Sequence, residues 1–481
     1  MSRLELESTR LAQRRWEAAP LANRLRVLGR FRRLAADGAR ELAERVPTRL
    51  AGALSRTVAD TLVSEVLPLI EACRFLDRES GRILRTRELG GEGRPVWLGR
   101  VEAQVERAPW GVVLVIAAAN YPLLLAGVQT VQALVAGNAV IWKPAPGTEA
   151  VAFAMRTLLL EAGLEPELLT VLDASVAAAE EAIAARVDFV AVTGSPATGR
   201  AVLRQLAETV TPAVLELSGC DAVMVLPGAD LRHVVEAMSF GLRFNGSFTC
   251  MAPRRILLAG LSAGEADFVE AGLTKALAGL KPVELSEAGR VLLGDLVEDA
   301  RAQGATVAVN GLREGEQQAG ATLVLGATPA MVVMRSEVFA PVVSVMRTAS
   351  VGEAIAADAV CPFGLTAAIF GREREARAVA GRLRVGNVLI NDVIAPTADC
   401  RVSFGGRGGS GYGVTRGTEG LLAMTTPKTI QVRRGRPKRA YEVTGDGHIE
   451  LFAGLTQLLH GGWGKKFAGL RRLMAAARNL Q

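Results

Sequence analysis

The sequence predicts an α/β fold with two parallel-sheet domains in tandem. Three observations carry that expectation. Short, wholly apolar runs alternate with helical stretches of roughly ten to fifteen residues, which is the pattern of βαβ units. The same alternation starts again after Ala222. A chain of 481 residues also exceeds what one hydrophobic core holds.

Residues 1–90 are expected to be helical, because Leu11–Arg56 sets Leu, Val and Ala at helical spacing with Arg and Glu on the polar faces. From Gly111 the pattern changes. Gly111–Ile116 reads as a buried strand, Leu123–Ala136 as a helix, Ala139–Trp142 as a strand and Thr148–Ala162 as a helix. Leu168–Leu172, Phe189–Val192 and Ala213–Leu217 are the next strands, with helices over Val176–Ala185 and Pro196–Glu208 between them. Ala222–Leu226, Arg254–Leu258, Thr322–Leu325 and Val342–Arg347 form the second series. Each series is the signature of a Rossmann-like sheet.

Composition narrows the function. No apolar run reaches the roughly 20 residues of a membrane-spanning helix. Met1–Arg15 mixes Glu and Arg without an apolar core and is not expected to be a secretory signal. The five cysteines, Cys73, Cys220, Cys250, Cys361 and Cys400, show neither CxxC nor Cys/His spacing. They therefore argue against a metal site and a disulfide framework, and for a cytoplasmic protein. The net charge of +7 resides in the tail, since Arg433–Gln481 holds ten Lys/Arg against three Asp/Glu. The remainder balances at 46 against 46.

Three residues stand out chemically. Cys250 lies in Phe244–Pro253, a Gly-containing loop between a helix and an apolar strand, where a thiol can reach a substrate. Alone it would more often be an apolar filler. Glu216 follows the strand-like Pro212-Ala213-Val214-Leu215 and precedes Leu217-Ser218-Gly219, at the sheet mouth where catalytic groups gather, although a solvated strand-end charge is the commoner case. Asn120, in Ala119-Asn120-Tyr121-Pro122 just past a strand, could simply form a turn.

Taken in order, these residues resemble the aldehyde dehydrogenase superfamily from about Arg10 to Ile430. Pro109-Trp110-Gly111-Val112-Val113 leading to Asn120 is similar to the segment bearing the oxyanion asparagine, and Gly137–Pro144 to the cofactor-lysine strand. Thr193-Gly194-Ser195 resembles the helix-opening turn at the pyrophosphate, Glu216-Leu217 the base motif, and Cys250 with Arg254 the nucleophile motif. Glu337–Val342 is similar to the nicotinamide-ribose segment, and Phe404-Gly405-Gly406 with Ser410-Gly411 closes the series.

The resemblance implies oxidation of an aldehyde by NAD or NADP through a thioester on Cys250. Asn120 would stabilise the oxyanion and Glu216 would serve as base. Cofactor contacts carry over to Ile116, Lys143, Gly194, Ser195, Glu337 and Phe339. The implied layout is a cofactor domain over 1–216, with part of an oligomerisation element near 95–108, and a catalytic domain over 217–403. A return segment with an oligomerisation strand over 404–434 and a basic extension over 435–481 complete it. A homodimer or homotetramer follows from the strand-like Thr425–Val432.

Departures limit the carry-over. Ala119 stands where the family usually has tryptophan, opening space behind the nucleophile. Pro146 replaces the glutamate that disfavours a 2′-phosphate, so NAD and NADP both stay open. Ser218-Gly219-Cys220 replaces Gly-Gly-Lys, with Cys220 expected to be a packing residue. Ala340 and Gly408 also depart from the glycine and lysine expected there.

In the tail, Leu451, Phe452, Leu455, Leu458 and Leu459 fall at helical spacing, as do Phe467, Leu470, Leu473 and Met474. Such basic amphipathic helices either lie on an anionic membrane or dock on protein, and docking is the expected case. Nucleic acid is not an expected partner, because Arg433–Arg439 has only Tyr441 nearby for stacking. Two rival functions remain: a CoA-acylating enzyme, which Glu216 argues against, and an idle scaffold of the same fold.

Overall fold

The computed structural model describes residues 3–48, 56–312, 318–434 and 443–479. Most of Arg433–Arg439, and Tyr441, lie outside them. The helical N-terminus is broken where its sequence demands. Arg3–Ala18, Leu21–Asp37 and Ala39–Glu44 are separated at Pro20 and Gly38, residues that interrupt a continuous helix. The helical expectation for 1–90 fails at its end, where Arg87–Leu89 is a strand.

The first large sheet contains β1 (Val112–Ile116), β2 (Ala139–Lys143), β3 (Leu169–Val171), β4 (Phe189–Gly194) and β5 (Ala213–Leu217). Its order is β3-β2-β1-β4-β5, all parallel, with Gly411–Tyr412 added antiparallel to β5. β1 and β2 are buried along their whole length, which is why β1 reads as an unbroken Val/Leu/Ile run and β2 as apolar from Ala139 to Trp142. The order reverses between β1 and β4, and ligands of open α/β sheets bind at such a switch point.

The second sheet contains β6 (Asp221–Val225), β7 (Pro253–Ala259), β8 (Thr306–Val309), β9 (Thr322–Leu325), β10 (Val342–Thr348), β11 (Thr366–Phe370) and β12 (Asn387–Ile390). They lie in the order β8-β9-β10-β7-β6-β11-β12, parallel except for the β8–β9 pair. β8, β11 and β12 do not stand out in the sequence. β11 opens Thr-Ala-Ala, β12 opens with Asn, and β8 is an antiparallel strand whose first residue is exposed.

Both sheets belong to one compact unit, residues 1–85 and 106–428. The remainder, 86–105 and 429–481, forms a second unit. A three-stranded sheet runs Arg87–Leu89, Val101–Pro109, Thr425–Arg433, which leaves the last strand on an edge. Arg434 anchors that strand's end through Arg100 O at 2.8 Å and an ion pair to Glu102 at 3.0 Å. Helices Gly447–His460 and Trp463–Asn479 pack as a hairpin in the same unit. No helix among the described residues is long and apolar enough to cross a membrane.

Candidate active site

The register of the first sheet assembles the site. Ile116 pairs with Lys143 on one side and Val192 on the other, and Thr193 pairs with Glu216. The carboxyl ends of β1, β2, β4 and β5 therefore finish in one row. A cavity of about 450 Å³ lies over that row, bounded by Asn120, Glu216, Cys250, Lys143, Gly194, Ser195, Glu337 and Phe339. All nine residues singled out from the sequence, Ile116 included, line this one space.

Cys250 sits on the loop before β7. Its approach is a backbone device: Asn245, Gly246 and Ser247 have φ of +52°, +59° and +69°, three consecutive left-handed residues. Only one of the three is glycine, so the strain must be held from outside. Arg254 holds it, donating to Ser247 Oγ at 2.7 Å and Ser247 O at 2.6 Å and also to Ala340 O. Gly219 allows the close approach of the next loop, since a Cβ there would lie 2.9 Å from Cys250 O.

Asn120 is held from two directions. Its side-chain oxygen accepts from Tyr121 N at 3.1 Å, leaving the NH₂ end as the donor for a ligand. Its backbone oxygen accepts from Arg56 at 2.6 Å and from Asn245 Nδ2 at 3.3 Å. Arg56 also donates to Asn245 Oδ1 at 2.7 and 3.0 Å and forms a buried ion pair with Glu65. Glu65 in turn accepts from Leu123 N at 2.7 Å and Leu124 N at 3.0 Å, at the start of helix Leu124–Ala136. Tyr121 Oη and Thr249 Oγ1 lie 2.6 Å apart. Two separate ties thus join the Asn120 loop to the Cys250 loop.

The electrostatics favour neutral forms. Burial raises the Glu216 carboxyl above its ordinary range, while Arg416 and the Thr415 hydroxyl pull it back. Thr415 donates to Oε2 at 3.0 Å, and Oε1 is buried without a protein partner. Burial also pushes the Cys250 thiol up, and the charges of Glu216 and Asp221 add to the effect. In this environment the thiol is protonated at neutral pH and needs a base to become a nucleophile. Burial brings both Asp221 and Glu337 to about 7, each against an arginine's pull.

The cofactor side fits a dinucleotide. Ser195 caps helix Pro196–Thr209 by accepting from Thr198 N at 3.2 Å, so the helix N-terminus opens on the cavity beside Gly194. Lys143 places its ammonium on the same wall, and burial lowers its pKa. Phe339 stacks on Phe248 at 6.0 Å, forming an aromatic wall two residues from Cys250. Among the described residues no group of His, Cys, Asp or Glu is arranged to hold a metal.

Sequence reasoning missed Arg56, Glu65, Thr249 and Thr415. Each has a partner 58 to 199 residues away, and no local spacing marks that. Asn245-Gly246 was the one available signal, a dipeptide that favours left-handed turns. Cys220 is buried beside Cys361, whose thiol donates to Cys220 O at 3.9 Å, while the Cys220 thiol donates to Val333 O at 3.9 Å.

A parallel sheet of dinucleotide-binding order, whose crevice gathers a thiol, a carboxylate and a carboxamide, defines an oxidoreductase framework. Residues 4–430 match the aldehyde dehydrogenase family, and the chain belongs to it. It is an NAD(P)-dependent enzyme that oxidises aldehydes. A 4,4'-diapolycopene aldehyde oxidase from Methylomonas sp is 33% identical over 475 residues, 95% of this chain and 87% of the relative. An NAD-dependent aldehyde dehydrogenase of Sinorhizobium meliloti superposes with a TM-score of 0.82 at 25% identity, covering 92% of this chain and 89% of that one. An NADP-dependent glyceraldehyde-3-phosphate dehydrogenase of Bacillus halodurans C-125, complexed with NADP, gives a TM-score of 0.79 at 27% identity. That match covers 90% of this chain and 91% of the other.

Proposed function

We propose that this enzyme releases its product by hydrolysis, with Cys250 as nucleophile, Glu216 as base and Asn120 as oxyanion donor. The observation that carries the proposal is the lining of one cavity by all three, beside the helix N-terminus at Ser195. Cys250 Sγ attacks the aldehyde carbon once its proton has left, directly or through water, for the unpartnered Oε1 of Glu216. The carbonyl oxygen becomes an oxyanion, which the Asn120 amide and the Cys250 backbone N–H stabilise. One such donor contributes about 3 kcal/mol. The nicotinamide ring, when bound, accepts the hydride. The acyl group remains on Cys250 as a thioester. Glu216, once it has passed the thiol proton to solvent, takes a proton from the water that attacks the thioester carbon, and the C–S bond breaks to free the carboxylic acid and the Cys250 thiolate, which is reprotonated.

Lys143, Ile116, Gly194 and Ser195 hold the dinucleotide along the strand ends, and Glu337 and Phe339 hold its nicotinamide half. Pro146 puts no carboxylate at the adenosine ribose, so NADP is accepted as well as NAD. The S. meliloti and B. halodurans relatives between them are described with both cofactors. Ala119 widens the apolar wall behind Cys250, which suits a bulky aldehyde. A homodimer or a homotetramer of cytoplasmic enzyme, assembled through edge strand Thr425–Arg433, completes the proposal.

The decisive experiment is Cys250→Ala. Turnover is expected to vanish while cofactor binding persists, and turnover within about tenfold of the parent overturns the thioester route.

A further inference from the structure

The C-terminal hairpin, beyond the residues that match the family, turns an apolar stripe to solvent. Trp463 is 85% exposed, Phe467 71%, Met474 53% and Leu470 41%. At 100° per residue these four positions fall within about 60° of one another on helix Trp463–Asn479. They form one face, and the helix's contact with its neighbour lies elsewhere. Gly469 and Gly454 bring the two helices together, since a Cβ on Gly469 would stand 2.6 Å from Leu458 N and one on Gly454 2.7 Å from Leu473 N. The stripe is therefore not spent on building the hairpin.

Charge decides what it faces. Lys466 lies on one flank of the stripe and Arg471 and Arg478 on the other, by the same helical geometry. Residues 463–479 contain no Asp or Glu. Arg472, on the back, pairs with Glu450 at 3.4 Å, whereas the three flanking cations form no ion pair among the described residues. A two-fold contact with a second copy through this stripe would crowd six like charges around one apolar seam without a counter-charge. An anionic bilayer supplies both missing partners, acyl chains for the stripe and phosphates for the flanks.

We propose that helix Trp463–Asn479 lies in the headgroup layer of an anionic phospholipid membrane, its Trp463–Met474 stripe buried and Lys466, Arg471 and Arg478 on lipid phosphates. The test is co-sedimentation of the full-length enzyme with phosphatidylcholine vesicles, with and without phosphatidylglycerol, at low and high salt. The enzyme is expected to pellet with the anionic vesicles, less so at high salt, and to stay in solution with phosphatidylcholine alone. K466E/R471E/R478E is expected to lower partitioning about a hundredfold or more, each near-surface cation contributing about 1 kcal/mol. F467S/L470S is expected to lower it at both salt concentrations. Turnover of a short, water-soluble aldehyde should be retained by both variants, which shows that they fold. Failure of the parent to pellet overturns the proposal, as does equal pelleting with both vesicle types. If light scattering shows F467S/L470S dissociating an oligomer while no protein pellets, the face belongs to a second copy and the proposal is wrong.

Discussion

Arg56→Met tests whether the active site is held together by the buried arginine. Arg56 and Glu65 are both fully enclosed, and Arg56 spends its donors on Glu65, Asn120 O and Asn245 Oδ1. Methionine fills similar volume but leaves the Glu65 carboxylate with only Leu123 N and Leu124 N. Breaking a buried pair by removing one partner costs about 3–5 kcal/mol. An unfolding entropy of about 2 cal/mol/K per residue gives 481 residues roughly 1 kcal/mol/K, so Tm should fall by about 4 °C. Activity should suffer further, because Asn120 O loses its 2.6 Å contact and keeps only Asn245 Nδ2 at 3.3 Å, and Asn245 itself loses Arg56. Loss of one oxyanion donor corresponds to about a hundredfold in the acylation rate. Stopped-flow measurement of the first turnover reads that rate, and differential scanning fluorimetry reads Tm. Tyr121→Phe, which removes only the 2.6 Å contact with Thr249, should cost about 1 kcal/mol. An unchanged Tm in Arg56→Met would refute the clamp, and a normal first turnover with lowered Tm would show that the clamp does not position Asn120.

Glu216→Gln should leave a burst of reduced cofactor followed by slow turnover, and an unchanged steady state would make Glu216 a structural carboxylate. Because burial raises the Glu216 pKa in the fold, its stability contribution is present below the unfolded value of about 4.3 and is lost as pH rises through the folded value. The Tm advantage of the Gln variant should accordingly grow with pH across that window, and a flat difference would contradict the raised value. Pro146→Glu should lower kcat/KM for NADP far more than for NAD, and equal effects would remove position 146 from the ribose. Light scattering should find an oligomer, and a stable monomer would contradict assembly through Thr425–Arg433.

The sequence exposed the parts of this protein whose physics is local. β1 and β2 are covered on both faces, so their apolar runs needed no partner to be recognised. Asn120 follows an apolar strand, Cys250 precedes one and Glu216 stands near the end of another, and position alone drew attention to them. β11 and β12 were missed because Thr-Ala-Ala and Asn at their starts resemble a loop, and pairing with β6 and with each other supplies the order. The Arg56–Glu65 pair was invisible for another reason. Arg56 has the look of a surface helix residue, and only the folded chain brings Asn245 and Asn120 to it.

The link between the two sheets has a consequence for how this enzyme can change. Glu216 belongs to the last parallel strand of one sheet and Asp221 begins the next, with Gly219 between them against Cys250 O. The spacing of carboxylate and thiol is thus recorded in chain length, not in a rotamer that could readjust. Surface loops elsewhere tolerate an added residue at small entropic cost. An insertion here would shift the base relative to the nucleophile with no side chain able to compensate. Variation in this enzyme should therefore accumulate as substitutions along the cavity wall, at positions such as Ala119 and Pro146, while the length from Glu216 to Asp221 stays fixed.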